Sequence, residues 1–242
     1  MEKARLDEIL VDLNLCESKS KAASLIMSGN VIVNGVVSTK PGKKYSKNVE
    51  IRIKEVFPYV SRGALKLKKA IEFFNINVEN KICIDIGCST GGFTQVLLEN
   101  GAKKVYAVDV GVTLDYRLRN DKRVVTMEKI NARYLEPSMF LDQIEFATVD
   151  VSFISLRHIF PVLKKLEIPF VVVLIKPQFE IGDRIKGFDG VVKEQKYRDD
   201  AIDSVLQYAE FSSYAKIGIV ESPIKGPKGN IEYLLYCKKT II

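Results

Sequence analysis

The sequence predicts an α/β protein of two domains: a small basic α+β module, residues 1–53, and a larger domain, residues 61–242, on a seven-stranded Rossmann-like sheet whose last strand runs antiparallel. Three observations carry this. Apolar strand candidates at 81–86, 104–109, 123–127, 144–150 and 169–175 alternate with helix candidates at 92–100, 155–166 and 196–210, the pattern of a parallel sheet covered on both faces. A glycine-rich loop follows the first of these strands and opens a helix. The formal charge of +7 is carried entirely by residues 1–69, which hold 14 Lys/Arg against 7 Asp/Glu. A chain of 242 residues, 47% of them hydrophobic, can bury one full-sized core beside a smaller module.

Taken in order, residues 4–13 and 18–28 read as short amphipathic helices, the second capped by Ser18 and stopped at Gly29. The Asn34-Gly35 step between β-branched runs in 31–37 is a hairpin signal, because a type I′ turn needs positive φ at both central residues. Lys40-Pro41-Gly42 makes the next turn and 48–53 a closing strand. Residues 54–60, with Pro58, read as a linker, after which Ser61 caps a helix over 62–74. At the far end, 215–221 and 231–237 form the antiparallel close of the sheet.

Charge interrupts every apolar stretch near the start, and the longest apolar run, 168–175, falls far short of the about 20 residues that span a bilayer. Neither a signal peptide nor a membrane span is expected. Cys16, Cys83, Cys88 and Cys237 show no paired spacing and His158 is the only histidine, which supports neither a disulfide framework nor a metal site. The expectation is a cytoplasmic, metal-free protein, with a monomer favoured. Basic charge on a small module beside a neutral larger domain suggests that the first holds a polyanion and the second works on it; a solvated basic face is the plainer alternative.

The strongest chemical signal is residues 81–111. A strand ends at Asp85, the loop Gly87-Cys88-Ser89-Thr90-Gly91-Gly92 follows, a helix starts, and a second strand ends at Asp109. Glycines allow close backbone approach, a helix N-terminus offers free N–H donors, and an acid ending the next strand suits the two hydroxyls of a ribose. An adenosine-bearing cofactor fits this geometry. The dinucleotide fingerprint G-x-G-x-x-G fails, since Ser89 stands where its second glycine belongs. The pattern instead resembles the first motif of class I S-adenosyl-L-methionine methyltransferases. That resemblance sets Asp85, Gly87, Ser89, Gly92 and Phe93 along the methionine portion, Asp109 on the ribose, and Asn131, Ala132 and Arg133 beside the adenine.

Four charged residues stand at the expected carboxyl edge of the sheet. Lys66 lies on the helix before the first sheet strand, Asp150 ends "FATVD", Lys176 ends "VVVLIK", and Glu232 opens the last strand. Charged residues directly after long apolar strands are poor packing choices, although each singly could be a solvated strand end. A hydroxyl nucleophile needs a base, and a lysine flanked by carboxylates can supply one. These four match the Lys-Asp-Lys-Glu tetrad of FtsJ-like ribose 2′-O-methyltransferases.

The N-terminal residues Arg5-Leu6-Asp7, Ser18-Lys19-Ser20-Lys21-Ala22, Leu25-Ile26, Gly29-x-Val31-x-Val33-Asn34-Gly35 and Lys40-Pro41-Gly42 resemble the S-four RNA-binding domain over about 50 residues. With "YVSRGALKL", "DIGCSTGGFT", "VDVSFISL" and "LIKPQFE", nearly the whole chain resembles the TlyA family of rRNA 2′-O-methyltransferases, also called haemolysins. The resemblance implies Lys176 as base, Asp150 as neighbour of the methyl group, Lys66 and Glu232 as positioners, and ribosomal RNA or a ribosomal subunit as partner, methylated on a cytidine ribose. It implies RNA contacts at Arg5, Lys19 and Lys21, to which Lys40, Lys43, Arg62 and Arg184 are added as cations suited to phosphates. Each of these, taken alone, is equally a solvated surface charge. Two positions depart from the family: Ala64 replaces a frequent glycine, and Phe57-Pro58-Tyr59-Val60 replaces an Arg-x-Trp-Val linker.

The glycine-rich segment 180–193 reads as a loop that closes over RNA, with a plain connector as the alternative. An amino-methylating enzyme is disfavoured because Asp150-Val151-Ser152-Phe153 stands in place of an N/D-P-P-Y/F motif. A carbon-methylating one would need a nucleophilic cysteine near the site; Cys88 lies in the glycine loop itself and reads as a small residue there. A non-enzymatic RNA binder leaves the four matched residues unexplained, and a pore former lacks a spanning segment.

Overall fold

The computed structural model describes residues 3–54 and 57–240, so Glu55 and Val56 of the expected linker lie outside the described residues. The chain divides into two compact units between Pro58 and Tyr59.

The first unit runs β1 (Lys3–Arg5), α1 (Leu6–Asp12), α2 (Lys19–Met27), β2 (Val31–Val33), β3 (Val36–Ser38), β4 (Lys44–Ser46) and β5 (Ile51–Ile53). Leu6 and Leu10 on α1, and Ala22 and Ile26 on α2, each lie one turn apart and bury one face of their helix against Val31 and Val33. β2 is central in the antiparallel order β3-β2-β5. Asn34 and Gly35 both have positive φ, 50° and 78°, as the hairpin requires, and the Ser18 hydroxyl caps α2 by accepting from the Lys21 N–H at 3.3 Å. The expected first helix is shorter than 4–13: residues 3–5 pair with β4 instead, so Arg5 precedes the helix rather than lying on it. Three-residue strands carry no period-2 signal to read.

The second unit runs α3 (Ala64–Phe74), β6 (Ile82–Ile86), α4 (Gly92–Glu99), β7 (Lys104–Asp109), α5 (Tyr116–Arg119), β8 (Val124–Glu128), β9 (Phe146–Val149), α6 (Phe160–Lys165), β10 (Phe170–Ile175), α7 (Pro177–Glu180), α8 (Gln195–Phe211), β11 (Tyr214–Glu221) and β12 (Tyr233–Lys239). The sheet order is β11-β12-β10-β9-β6-β7-β8, with β12 antiparallel to both neighbours. Alternate residues of the strands face opposite layers. Ile84, Ile86, Val149 and Val173 pack with Leu156, Phe160, Leu163 and Val205 of one layer, while Cys83, Val105, Val172 and Leu174 pack with Leu67, Ile71, Val96 and Leu97 of the other. Each fully buried Leu, Ile or Phe contributes about 1.5–3 kcal/mol. None of the described helices is long and apolar enough to cross a membrane.

β6 lies between β7 and β9, so the chain leaves β6 on one side and returns on the other. Their carboxyl ends form the switch point at which open α/β sheets bind ligands.

Two helix boundaries differ from expectation. Ser61 does not cap α3: the helix starts at Ala64, and residues 61–63 form a turn in which the Ala64 N–H donates to the Ser61 carbonyl at 3.2 Å. The expected helix 155–166 is a tight turn at Leu156–His158 followed by α6, because Pro161 has no N–H to continue a ladder from the preceding turn.

Candidate active site

β6 delivers the glycine loop to the switch point. Gly87 has φ +83° and a Cβ there would come within 2.5 Å of the Asp150 carbonyl oxygen, so only glycine lets the two loops meet. Gly92 opens α4 where a Cβ would stand 2.3 Å from the Ser61 hydroxyl and 2.9 Å from the Ala64 nitrogen. Asp109, ending β7, braces the loop by accepting from the Ser89 N–H at 2.8 Å and the Gly111 N–H at 2.7 Å.

Two cavities flank this loop. One, of about 360 Å3, is lined by Asp109, Asn131, Ala132, Arg133 and Phe153. The other, of about 250 Å3, is lined by Ser61, Lys66, Phe93, Lys176 and Pro227. Gly87, Ser89, Asp150 and Ser152 line both. The larger lies within the about 300–1,000 Å3 of small-molecule pockets. Its lining fits an adenosine: the Asp109 carboxylate, with two acceptor positions used on the loop, keeps others for vicinal hydroxyls.

The four separated charged residues converge beside the second cavity. Lys176 Nζ lies 2.6 Å from Asp150 Oδ1 and donates to Ser152 Oγ at 2.9 Å. Lys66 Nζ lies 2.7 Å from Glu232 Oε2 and 4.0 Å from Asp150 Oδ2. Lys66 and Lys176 are each 7% exposed and Glu232 is fully buried. Lys66 belongs to the buried stripe of α3 with Leu67, Ala70 and Ile71, a position that packing alone would give to an apolar residue.

Residues 59–239 match the FtsJ-like methyltransferase family, and residues 4–51 match the S4 domain. The chain belongs to the FtsJ-like methyltransferase family. A provisionally named rRNA methyltransferase of Bacillus subtilis, YqxC, is 46% identical over 97% of this chain and 85% of its own. The 16S/23S rRNA (cytidine-2′-O)-methyltransferase TlyA of Mycobacterium tuberculosis is 39% identical over 98% of this chain and 90% of its own. A solved structure from Streptococcus thermophilus, of a protein provisionally assigned to the haemolysins, is 45% identical with a TM-score of 0.75, covering 99% of this chain and 90% of that one. The chain is therefore a methyltransferase with an S4 domain, on the class I fold that the sequence predicts.

Within this FtsJ-like domain, Asp85 is the expected cofactor residue that lines neither cavity. Fully buried, it accepts from the Thr94 hydroxyl at 2.7 Å and the Thr148 hydroxyl at 3.0 Å, and supports the loop from beneath. Burial pushes its carboxyl up to about 7, against the pull of those two hydroxyls. Cys88 lines the second cavity, but burial, with Asp85 and Asp109 nearby, pushes its thiol well above the usual range, which leaves it a poor nucleophile.

Arg62 and Arg184 are exposed, the latter beside the cavity that Arg133 and Arg157 also line. In the S4 domain Lys40 and Lys43 are exposed, and three other expected RNA contacts hold carboxylates of their own domain: Arg5 with Asp7 at 2.7 Å, Lys19 with Glu8 at 2.9 Å, and Lys21 with Glu17.

Ser152, Phe153, Thr94, Thr148 and Asn230 are site or supporting residues that the sequence reading did not single out. Phe153 is 91% exposed, with φ +62°, at the lip of the larger cavity. In sequence it reads as one more apolar residue of "VSFISL".

Proposed function

We propose that this protein transfers a methyl group from S-adenosyl-L-methionine to the ribose 2′-hydroxyl of a cytidine in ribosomal RNA. The observation that carries the reading is the meeting of Lys66, Asp150, Lys176 and Glu232 beside the second cavity, with Asp150 lining both cavities. In this reading Asp109 holds the cofactor's ribose, Asn131 and Ala132 flank its adenine, and Gly87, Ser89, Gly92 and Phe93 line the path of its methionine portion. Bound there, the sulfonium supplies a methyl group that is already activated.

The chain's own residues do the rest. Lys176 takes the 2′-hydroxyl proton as the oxygen becomes nucleophilic. Asp150 holds the Lys176 amine and balances its charge once protonated. Lys66, fixed by Glu232, sets a second cation beside Asp150 and helps to seat the ribose. Phe153 offers an exposed ring on which the target base can stack. The S4 domain supplies phosphate contacts through its basic surface, in a cytoplasmic encounter with free rRNA or a ribosomal subunit. The rRNA and cytidine assignments draw on the activity named for the M. tuberculosis relative.

The test is methyl transfer from labelled cofactor to rRNA, followed by mapping of the labelled nucleotide on both subunits. Lys176→Ala should abolish transfer while cofactor affinity stays within about twofold; full activity in this variant rejects the base assignment. Label on a base rather than a ribose rejects the reaction class.

A further inference from the structure

The general base needs more than a nearby carboxylate. A protonated lysine carries three N–H donors and no lone pair, whereas the amine that accepts a proton carries two donors and one lone pair. Around Lys176 Nζ stand two acceptors, Asp150 Oδ1 at 2.6 Å and Ser152 Oγ at 2.9 Å. These two acceptors engage two of its hydrogens in either protonation state. The remaining tetrahedral position is the one that carries the lone pair whenever the amine is neutral.

Ser152 is itself held in place. The loop that follows it is tied to α7, the helix beginning directly after Lys176: Glu180 accepts from the Ser155 hydroxyl at 2.6 Å and from the Leu156 N–H at 3.0 Å. Glu180 is buried and these two donors use both of its oxygens. Lysine and acceptor therefore sit at the two ends of one braced segment. Ser152 also lines both cavities, and its oxygen has no other partner among the described residues.

We propose that Ser152 is a positioning residue of methyl transfer, whose hydroxyl fixes the rotation of the Lys176 amine so that its lone pair is presented to the nucleophile. Without that oxygen the amine turns about its last carbon–nitrogen bond and offers an N–H in place of the lone pair for part of the time. The proposal rests on Lys176 as the base.

Its test compares Ser152→Ala, Ser152→Thr and Lys176→Ala in the full-length protein, with labelled S-adenosyl-L-methionine and rRNA. Ser152→Ala should lower kcat about tenfold, the worth of one hydrogen bond, with KM for RNA and Kd for the cofactor within about twofold of the parent. Ser152→Thr, which keeps the oxygen, should restore kcat to within about threefold. An unchanged kcat in Ser152→Ala overturns the proposal. So does a loss confined to KM, which would make the hydroxyl a substrate contact, or a threonine variant as slow as the alanine one. A fully active Lys176→Ala removes the base on which the proposal depends, whereas an inactive one beside an unimpaired Ser152→Ala rejects the positioning role alone.

Discussion

Lys66 and Glu232, 166 positions apart in the chain, form a buried ion pair at 2.7 Å, and the second carboxylate oxygen of Glu232 has no hydrogen-bond partner among the described residues. A Cβ on Gly226 would come within 2.1 Å of that oxygen, so the turn before β12 is shaped around it. A buried charge stripped of its partner is costly. Lys66→Ala should lower unfolding stability by about 3–5 kcal/mol in urea, and Lys66→Met combined with Glu232→Gln should recover most of that loss. Both variants should remain inactive in methyl transfer, which separates the pair's effect on folding from its place in the reaction.

Asp109 has two tasks that one substitution tests together. Its carboxylate braces Ser89 and Gly111 and faces the cavity assigned to the adenosine. Asp109→Ala should weaken cofactor binding about 10- to 100-fold by calorimetry, as expected for losing charge-assisted hydrogen bonds of about 1.5–3 kcal/mol. The rate at saturating cofactor should fall much less.

The fold was legible because its signals are long and redundant. Each central strand is an apolar run, and the glycine loop and Asp109 lie in the spacing that a strand, turn, helix and strand impose. Lys176 after Ile175 and Asp150 after Val149 stood out in the sequence because charge after such a strand contradicts packing, and the structure brings both beside Lys66 and Glu232. What escaped was set by tertiary contact. Nothing local distinguishes Ser152 from any loop serine, Thr94 and Thr148 from core threonines, or Phe153 from an apolar residue about to be buried. The reading of Ser61 as a cap relied on residue type, whereas its place is decided by the close approach of Gly92.

Asp85 gives the stability a distinctive pH dependence. Its carboxyl is raised by burial from the usual 3.8 to about 7, so the folded state binds a proton that the unfolded chain releases. The sign follows: this contribution is present below about pH 4, declines as pH rises, and is gone above about 7. Asp85→Asn keeps a polar group between Thr94 and Thr148, whose hydroxyls can donate or accept, and removes the titration. The stability of the parent minus that of Asp85→Asn should therefore fall between pH 4 and pH 7, by on the order of 4 kcal/mol. Urea titrations at several pH values read this directly, and parallel curves would reject it.

The paired cations of the S4 domain predict a gain of affinity. Lys19 and Lys21 are exposed and held by Glu8 and Glu17. If these lysines meet RNA as expected, its phosphates compete with the two carboxylates, and exposed pairs are weak, at about 0–1 kcal/mol. Glu8→Gln with Glu17→Gln should tighten RNA binding a few-fold at low salt. The salt slope should steepen slightly as more phosphates are neutralised. Filter binding at two salt concentrations distinguishes this from lysines that never meet RNA, for which the affinity stays the same.

Asn230 joins the segment after Lys176 to the turn that leads into Glu232. Its buried side chain accepts from the Val192 N–H at 3.0 Å and donates to the carbonyls of Gly190 at 2.8 Å and Pro227 at 3.1 Å. The far end of the glycine-rich segment is thus anchored, and any closing movement must come from residues before 190. Asn230→Ala leaves the buried Val192 N–H without an acceptor, at a cost of about 1–3 kcal/mol. Amide exchange at Val192 should accelerate about tenfold or more, and turnover should fall because the turn bearing Glu232 loses its tie. Cofactor affinity should hold, since none of these groups lines the larger cavity. Exchange confined to parental rates at Val192 would show that the segment is held by other contacts, such as the Arg198 guanidinium on the Val192 carbonyl at 3.2 Å.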